Sequence, residues 1–388
     1  MKNLFKFLSI IVIAQLTHAQ DRVITTAVPF LLIAADARSA GMADMGVATS
    51  ADAYSQQFNP SKYAFSKQKQ GFSMSYTPYL TAIAGDISLG QLTYFNRFND
   101  RMAFSGSLRY FSLGDIELRQ FYDDPARIVS PNEFALDGSY SLKLSPDFAM
   151  GVSGRYIRSS MKIPNENLDV KPASTFAVDI SGIYQSEEVA YDNFNGRWRA
   201  GFNFQNLGPK LSYDNDLLNE NFIPANMRLG GSFDFIFDDY NKVSLIGETT
   251  KLLVPTPQNV TDLNNDGDID ATDKSINNQN YRNISWTSGI FKSFGDAPDG
   301  FSEELKEFTW ALGAEYWYQD SFALRTGYFS ESVEKGARKY LTLGAGFKYN
   351  IVIIDVSYLF SASKVRNPLE NTLRFSLSFN FGDEYDDN

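Results

Sequence analysis

From about residue 70 onward, apolar and polar side chains alternate in segments of roughly ten residues. In the last segment one side carries Leu373, Phe375, Leu377, Phe379 and Phe381, and the other carries Arg374, Ser376, Ser378 and Asn380. Because successive side chains of a β-strand point to opposite faces, the pattern predicts strands with one apolar face. No apolar run after the N-terminal leader is long enough for a helical membrane span.

The composition of the two strand faces decides between a membrane barrel and a secreted β-sandwich. The polar face combines small residues and glycines with charges of both signs, namely Arg109, Arg155, Asp179, Arg199, Asp234, Glu315, Arg325 and Arg374. The other face is aromatic near the segment ends, at Tyr110, Tyr156, Tyr184, Tyr318 and Tyr349. A crowded lumen and interfacial aromatic girdles have this composition. We therefore predict an all-β outer-membrane β-barrel, with the sandwich as the alternative.

Counting segments predicts a 14-stranded antiparallel barrel, an even number as single-chain bacterial barrels require. The expected strands are 70–78, 86–97, 101–116, 133–144, 148–160, 173–185, 197–206, 227–237, 242–251, 308–318, 321–331, 339–349, 352–362 and 369–381. A fifteenth strand at 282–293 would break the parity, so residues 252–307 are taken as one long extracellular loop. The other long connections, 117–132, 160–172 and 207–226, then fall on the same side.

The first 20 residues have the features of a secretory signal peptide. Lys2 and Lys6 precede the apolar run 7–16, and cleavage is expected after Ala19 or Gln20. Cleavage would also remove His18, the only histidine of a chain that has no cysteine. Together with the predicted barrel, this leads us to expect an outer-membrane protein of a Gram-negative bacterium.

The missing side chains and the charge balance limit the possible functions. Without histidine and cysteine, a Ser-His-Asp triad, a Cys-His pair and a histidine-ligated zinc site are impossible. We therefore predict that the chain is not an enzyme, and a barrel hydrolase is nearly excluded. The formal net charge of −11 argues against a nucleic-acid partner, which requires a basic face.

A segment of different composition precedes the first strand. Residues 21–69 are rich in small residues around Ala34–Asp44 and contain an Asn59-Pro60 turn. Because a barrel of 14 strands leaves a lumen to fill or gate, we predict that this segment is an N-terminal hatch. The division is then a hatch at 21–69, a barrel at 70–382 and an acidic tail at 383–388.

Several motifs resemble known outer-membrane families. The run from Asp36 through Gly41-Met42 to Asn59-Pro60-Ser61 resembles the hatch signature of FadL-like fatty-acid transporters. The segments 29–31, 37–41, 293–298, 303–305, 313–318 and 322–328 are similar to the PorV family of the type IX secretion system. The second resemblance extends over essentially the whole chain after the leader.

The resemblance to the PorV family implies a function in protein export in the outer membrane of a Bacteroidetes-like bacterium. It implies a non-enzymatic component that binds a giant translocon barrel (SprA/Sov-like) and accepts cargo bearing a C-terminal signal domain. Delivery would be to a surface sortase (PorU-like) attachment complex, and outer-membrane lipid would surround the barrel. No motif identifies cargo-binding residues. The alternative is a FadL-like channel for uptake of hydrophobic small molecules.

The long loop contains a candidate calcium site. In the twelve residues 262–273, oxygen ligands occupy positions 1, 3, 5 and 12 and glycine occupies position 6. The expected ligands are Asp262, Asn264, Asp266, Asp268 (through its carbonyl), Asp270 (through water) and Asp273. Ca²⁺ prefers six to eight such oxygens. An acidic, solvated loop without a metal is the alternative. We predict a structural Ca²⁺ that rigidifies residues 252–307.

Overall fold

A computed structural model describes residues 23–80, 85–119, 123, 125–161, 171–213, 220–363, 370 and 372–385. The predicted signal peptide lies outside the described residues, as does the end of the predicted acidic tail. None of the helices in these described ranges is both long and apolar enough to cross a membrane.

Fourteen strands close into an antiparallel barrel, as the sequence predicts. They are Gln68–Pro78 (β1), Ser88–Arg97 (β2), Met102–Ser112 (β3), Asn132–Lys143 (β6), Phe148–Ser159 (β7), Ala173–Gln185 (β8), Asn195–Leu207 (β10), Asn226–Ile236 (β11), Asn241–Leu252 (β12), Phe308–Tyr318 (β13), Phe322–Ser330 (β14), Lys339–Tyr349 (β15), Val352–Ser361 (β16) and Leu373–Glu384 (β17). Each strand pairs with its neighbours in sequence, and β17 pairs with β1 to close the ring.

Three short strands lie outside this ring. Ile116–Leu118 (β4) and Arg127–Val129 (β5) form a hairpin of their own, and Val189–Ala190 (β9) pairs with the start of β10. The predicted third strand, 101–116, is therefore too long, because Leu113, Gly114 and Asp115 interrupt it. Gly114 has φ 74°, a left-handed conformation that ends the ladder.

The two faces of the barrel have the predicted composition. The eight charged residues assigned to the lumen are all buried, and Tyr110, Tyr184, Tyr318 and Tyr349 are exposed on the outer face. In a barrel the outer face contacts lipid, so its exposed leucines, phenylalanines and tyrosines are in an apolar solvent. Most of the inward charges are instead paired with one another, and Arg109 is bonded to backbone carbonyl oxygens, as a water-poor interior requires.

The connections differ in length at the two ends of the barrel. One end, called here the inner end, has the short connections 98–101, 144–147, 186–194, 237–240, 319–321 and 350–351. The other, the outer end, has 79–87, 113–131, 160–172, 208–225, 253–307, 331–338 and 362–372. Outer-membrane barrels have short turns in the periplasm and long loops outside the cell, so the outer end is extracellular.

Helices occur only outside the barrel wall. The described residues contain α-helices Ala37–Ala40 (α1), Ser55–Phe58 (α2), Ala271–Asn283 (α3), Trp286–Lys292 (α4) and Phe301–Lys306 (α5). Three 3₁₀ helices are Pro29–Leu32, Pro60–Phe65 and Val333–Lys335. The stretch 282–293 is thus helical and not a fifteenth strand, since α4 begins at the cap formed by Ser285.

Candidate functional site: the lumenal segment and the external loop

Residues 23–66, called here the lumenal segment, pack against the inner face of the barrel. Their helices contact strands β2, β3, β6, β7, β8, β15, β16 and β17. Most of their side chains are buried, including Phe30, Tyr54, Phe58 and Tyr63. The segment therefore lies in the lumen, where the predicted hatch would lie, and its role as a hatch stays a prediction.

An ion-pair network ties the lumenal segment to one side of the wall. The Arg38 guanidinium donates to both carboxylate oxygens of Glu315 on β13, at 3.0 and 2.8 Å, and to Asp52 at 2.5 Å. Glu315 also accepts from Arg325 at 2.7 Å, and Arg325 donates to Asp355 at 2.6 Å. All five groups are buried or nearly so, where an unpaired charge would be strongly unfavourable.

Backbone groups of the segment are bonded to other strands. Arg109 on β3 donates to the carbonyl oxygens of Leu31 and Ile33, at 3.0 and 2.6 Å. Glu248 on β12 accepts from the amides of Gly46 and Val47 at 2.9 and 3.0 Å. These contacts reach opposite sides of the barrel, so the segment is held around its circumference.

Glycines of the wall make room for this backbone. A Cβ on Gly327 would lie 2.5 Å from backbone atoms of Met42 and Ala43, and one on Gly201 would lie 2.4 Å from the Val47 carbonyl oxygen. A Cβ atom would also lie close to the lumenal segment at four other inward glycines, namely Gly151, Gly230, Gly313 and Gly344. The small residues that the sequence places on the lumen face therefore form a cradle for the lumenal segment.

A cavity of about 500 Å³ remains at the outer end of the lumen. It lies between the lumenal segment and the wall from β11 to β15, and its apolar lining includes Leu32, Met45, Ala311 and Phe329. Its charged lining is paired: Arg228 with Glu248, Arg338 with Glu331, and Lys335 with Glu307. The paired charges leave an apolar surface as the principal recognition feature.

The base of the external loop 253–307 is fixed by a buried ion cluster. Lys251, at the outer end of β12, contacts Glu304 at 2.7 Å and Glu307 at 2.6 Å. Lys335 contacts Glu303 at 2.7 Å and Glu307 at 2.9 Å. Burial alone would raise the pKa of Glu307. Hydrogen bonds from Lys251, Thr256 and Lys335 have the larger, opposite effect, so the pKa lies below its ordinary value.

Helix α5 within this loop presents its apolar residues to solvent. Glu303 and Glu304 face the barrel, whereas Phe301 and Leu305, one helical turn apart, are 76% and 51% exposed. The Lys306–Glu334 ion pair places the next connection beside the helix, and Val333 there is also exposed. Phe291 and Phe294, in and after α4, add two exposed rings.

The six predicted calcium ligands lie in one loop before helix α3. Asp262 accepts from the amides of Asp266 and Gly267, at 3.1 and 2.9 Å, and the Asn264 side chain donates to Asp266 at 2.7 Å. Gly267 has φ 96°, which explains the glycine at the sixth position. These contacts bring the first, third and fifth ligand positions together.

The last two predicted ligands are engaged with backbone amides. Asp270 caps α3 by accepting from Thr272 at 2.7 Å, and Asp273 accepts from Leu263 and Asp270, at 2.7 and 3.1 Å. Hydrogen bonds from the backbone, that of Asp270 foremost, lower the pKa of Asp273. The Asp268 side chain is exposed, and the Asp268 amide donates to the Asp266 carboxylate at 3.0 Å. Among the described residues, no three carboxylates converge closely enough to hold a metal without rearrangement.

The loop fits Ca²⁺ in its donor set and its backbone path. Asp262, Asn264 and Asp266 supply oxygens from adjacent turns, and the ionised Asp273 closes the loop against residues 263 and 264. Asp270 fits the predicted role least well, because its carboxylate already accepts hydrogen bonds from the N-terminal amides of helix α3. The predicted Ca²⁺ is therefore kept as a proposal.

Comparison with known proteins identifies the family. A family model for the type IX secretion system protein PorV matches residues 16–259, more than half of the chain. The chain belongs to the PorV family. It is accordingly an outer-membrane component of the type IX secretion system of Gram-negative bacteria, as the sequence resemblance predicts. A search of curated protein sequences gives no significant match.

Several solved structures are similar to this chain at low sequence identity. The Pseudomonas putida toluene transporter TodX is 11% identical over 90% of this chain and 99% of its own, with a TM-score of 0.52. A TodX ΔS2S3 mutant, a monoaromatic hydrocarbon channel, is 13% identical over 89% and 99%, with a TM-score of 0.50. A FadL homologue of Pseudomonas aeruginosa is 12% identical over 90% and 99%, at 0.44. The first two show a FadL-like barrel fold.

Proposed function

We propose that this PorV-family barrel is a non-enzymatic platform that accepts secreted proteins at its outer end. Its neighbour would be the giant translocon barrel (SprA/Sov-like), its cargo the C-terminal domains of exported proteins, and the recipient a PorU-like attachment complex. The observation that carries the proposal is the occupied lumen. Since the lumenal segment is bonded to strands on all sides, the remaining surface for partners is external.

The external loop supports this role because it is both anchored and apolar on its exposed side. Its buried ion cluster ties it to the barrel at Lys251 and Lys335. Large exposed apolar side chains at Phe291, Phe301 and Leu305 are unusual on a water-facing helix and mark protein contacts. We expect cargo or another system component to cover them.

Deletion of the protein tests the proposal. We expect secreted proteins to accumulate in the periplasm of the deletion strain, while uptake of fatty acids and aromatic hydrocarbons is unchanged. Complementation with Phe301→Asp/Leu305→Asp should restore secretion poorly, and the matched surface variant Thr287→Asp should restore it fully. Normal secretion in the deletion strain would contradict the proposal.

The second candidate is a channel for hydrophobic small molecules. The outer cavity of about 500 Å³ favours it, because its charges are paired and its remaining lining is apolar. Selective loss of hydrocarbon uptake with intact secretion in the deletion strain would support this candidate and not the platform.

We also propose that loop 262–273 binds a structural Ca²⁺. Asp262, Asn264, Asp266, Asp268, Asp270 and Asp273 would supply the oxygens, and the ion would offset the repulsion among the five carboxylates. The engaged carboxylate of Asp270 would then act through water or be released from the helix cap. The result would be a more rigid external loop.

Calorimetry on the full-length protein in detergent tests the calcium proposal. We expect Ca²⁺ uptake at or below about 1 mM, the range of extracellular sites. Asp262→Asn/Asp266→Asn should abolish the uptake, and the matched variant Asp299→Asn, elsewhere in the same external loop, should retain it. Absence of uptake by the unmodified protein, or equal uptake by the double variant, would refute the site.

A further inference from the structure

The carboxylate of Asp36, just before helix α1, is completely buried between the lumenal segment and the wall. Its Oδ1 atom accepts from the Ser39 amide at 2.8 Å, whereas its Oδ2 atom has no hydrogen-bond partner in the described part of the chain. No arginine or lysine of the described ranges contacts this carboxylate. Because a buried charge is strongly unfavourable unless it is paired or binds a metal ion, Asp36 requires a counter-charge.

The charges around Asp36 do not supply it. The adjacent ion-pair network joins three carboxylates to two arginines, namely Asp52, Glu315, Asp355, Arg38 and Arg325. The buried Lys62 donates to the Gly46 carbonyl oxygen and the Thr49 hydroxyl, at 2.8 Å each, and not to Asp36. With Lys62 and Asp36 included, four carboxylates therefore meet three cations.

Arg109 is the next charged residue along the wall, and it is engaged elsewhere. Its guanidinium donates to three backbone carbonyl oxygens of the lumenal segment. It also adjoins a second ion-pair group, in which Asp137 and Asp179 share the single Arg155. The positive charge of Arg109 is thus balanced by the carboxylate in excess in that group, and Asp36 stays uncompensated.

The wall holds Asp36 at the seam where β17 pairs with β1. The preceding residue accepts through its carbonyl oxygen from Thr77 on β1 at 3.0 Å, and the following residue donates its amide to Ser376 on β17 at 2.7 Å. Ser75 lies opposite Ser376 and two residues before Thr77, on the same inward face. Asp36 therefore lies over Ser75.

Ser75 and its neighbour Gln91 have buried oxygens of their own to offer. Gln91 on β2 is the cross-strand partner of Ser75, and both side chains are more than nine-tenths buried. The Gln91 amide nitrogen donates to Thr93 at 3.0 Å, but Gln91 Oε1 and Ser75 Oγ have no hydrogen-bond partner among the described residues. With Asp36 Oδ2, three unpartnered oxygens share one short stretch of the lumen.

We infer that Asp36, Ser75 and Gln91 bind a monovalent metal cation of the Na⁺ type. Carboxylate, hydroxyl and amide oxygens are the hard ligands that such ions prefer. One carboxylate with two neutral oxygens matches a single positive charge, whereas Ca²⁺ sites collect several carboxylates. Since the ligands come from the lumenal segment, β1 and β2, the bound ion joins the segment to the wall beside the seam. The inference is independent of the proposed function.

Thermal unfolding of the full-length protein in detergent tests this site. The protein is refolded and unfolded in NaCl or in choline chloride, at equal ionic strength and constant Ca²⁺, so that a slowly exchanging ion is replaced. Asp36→Asn removes the charged ligand. Glu133→Gln is the matched control, because Glu133 is also a buried lumenal carboxylate with an unpartnered oxygen but lies at the outer end of β6.

We expect the unfolding midpoint of the unmodified protein to rise by about 2 °C for each tenfold increase in Na⁺ above its dissociation constant. Asp36→Asn should have the same midpoint in both salts, and Glu133→Gln should keep the Na⁺ dependence. Equal midpoints of the unmodified protein in Na⁺ and choline would overturn the inference, and so would an undiminished Na⁺ dependence of Asp36→Asn. A midpoint that responds to pH and not to Na⁺ would also overturn it, because Asp36 would then carry a proton.

A second variant keeps the test decisive if Asp36→Asn does not fold. Gln91→Met removes the amide oxygen and keeps the length of the side chain. We expect it to weaken the Na⁺ dependence of the unfolding midpoint, because one of the three oxygens is lost. A Na⁺ dependence equal to that of the unmodified protein would contradict the site.

Discussion

The lumenal segment and the external loop are the two long parts of the chain outside the barrel wall, and they are stabilised differently. The lumenal segment has only very short helices and takes its conformation from the surrounding wall, through Arg38, Arg109 and Glu248. The external loop has longer helices and is joined to the barrel mainly at one ion cluster around Glu307. The first is part of the protein's core, and the second is a module on its surface.

The largest expected effect is from Arg38→Ala in the lumenal segment. The change leaves Asp52 without its arginine and removes one of the two arginines on Glu315, both in a buried site. Breaking a buried ion pair costs about 3–5 kcal/mol of unfolding free energy. Denaturant unfolding of the detergent-solubilised barrel measures it. The control Arg119→Ala removes an exposed pair with Glu117 and should cost less than about 1 kcal/mol. Equal effects would contradict a core role.

The second prediction concerns Gly327→Val, which fills the cradle under Met42 and Ala43. Overpacking costs about 1–3 kcal/mol, and here it also displaces the lumenal segment. We expect a lower thermal unfolding midpoint and faster protease cleavage of residues 23–66. Gly138→Val is the matched control, because that glycine faces lipid with open space around it. A loss of stability in Gly138→Val alone would show that the cradle is misassigned.

The third prediction concerns the base of the external loop. Glu307→Gln removes the charge shared by Lys251 and Lys335, so we expect roughly tenfold faster proteolysis within 253–307, while the barrel stays folded. The pKa of Glu307 is lower in the folded state than its ordinary value of 4.5. Its contribution to the stability of the loop base is therefore fully present above pH 4.5 and disappears as the pH falls through the lower pKa of the folded state. Protease resistance should persist at pH 5 and fall only at pH values below the ordinary pKa of 4.5. Loss of resistance near pH 6 would contradict this.

The smallest expected effect is from Lys306→Ala. Its ion pair with Glu334 is solvent-exposed, so the unfolding free energy should change by less than about 1 kcal/mol. The same measurement on Lys335→Ala, which removes a buried cation that contacts Glu303 and Glu307, should give a clearly larger loss. If the two variants lost the same unfolding free energy, the distinction between the buried base and the exposed surface of the loop would be wrong.

The barrel could be predicted from sequence because its signal is local. Alternation at period two, together with charges such as Arg155 and Asp179 opposite exposed tyrosines, identified both faces and all fourteen strands. The strand ends were less certain: β3 ends at Ser112, and β17 continues to Glu384, into the predicted tail. Strand ends depend on the partner strands and on the backbone conformation of residues such as Gly114, with φ 74°, and the alternation within a single strand contains neither.

The external loop was harder to predict because its charged residues are buried and its large apolar residues are exposed. Phe301 and Leu305 have the spacing of a buried helix face, yet Glu303 and Glu304 are the buried side chains. The reason is that these glutamates form ion pairs with Lys251 and Lys335, which are distant in sequence. Gly300 is at the N-cap position of this helix and supplies no side-chain cap. Likewise, the glycine cradle could be suspected only from small residues on the lumen face.

We propose, as the central claim, that the lumenal segment stays fixed in the lumen in the unmodified protein and that partners bind at the outer surface. Conductance of the purified protein in planar lipid bilayers tests it most directly. The account predicts no ion current for the unmodified protein and current only after the wall contacts are broken, as in Arg38→Ala/Glu248→Ala. A stable open channel in the unmodified protein would contradict it.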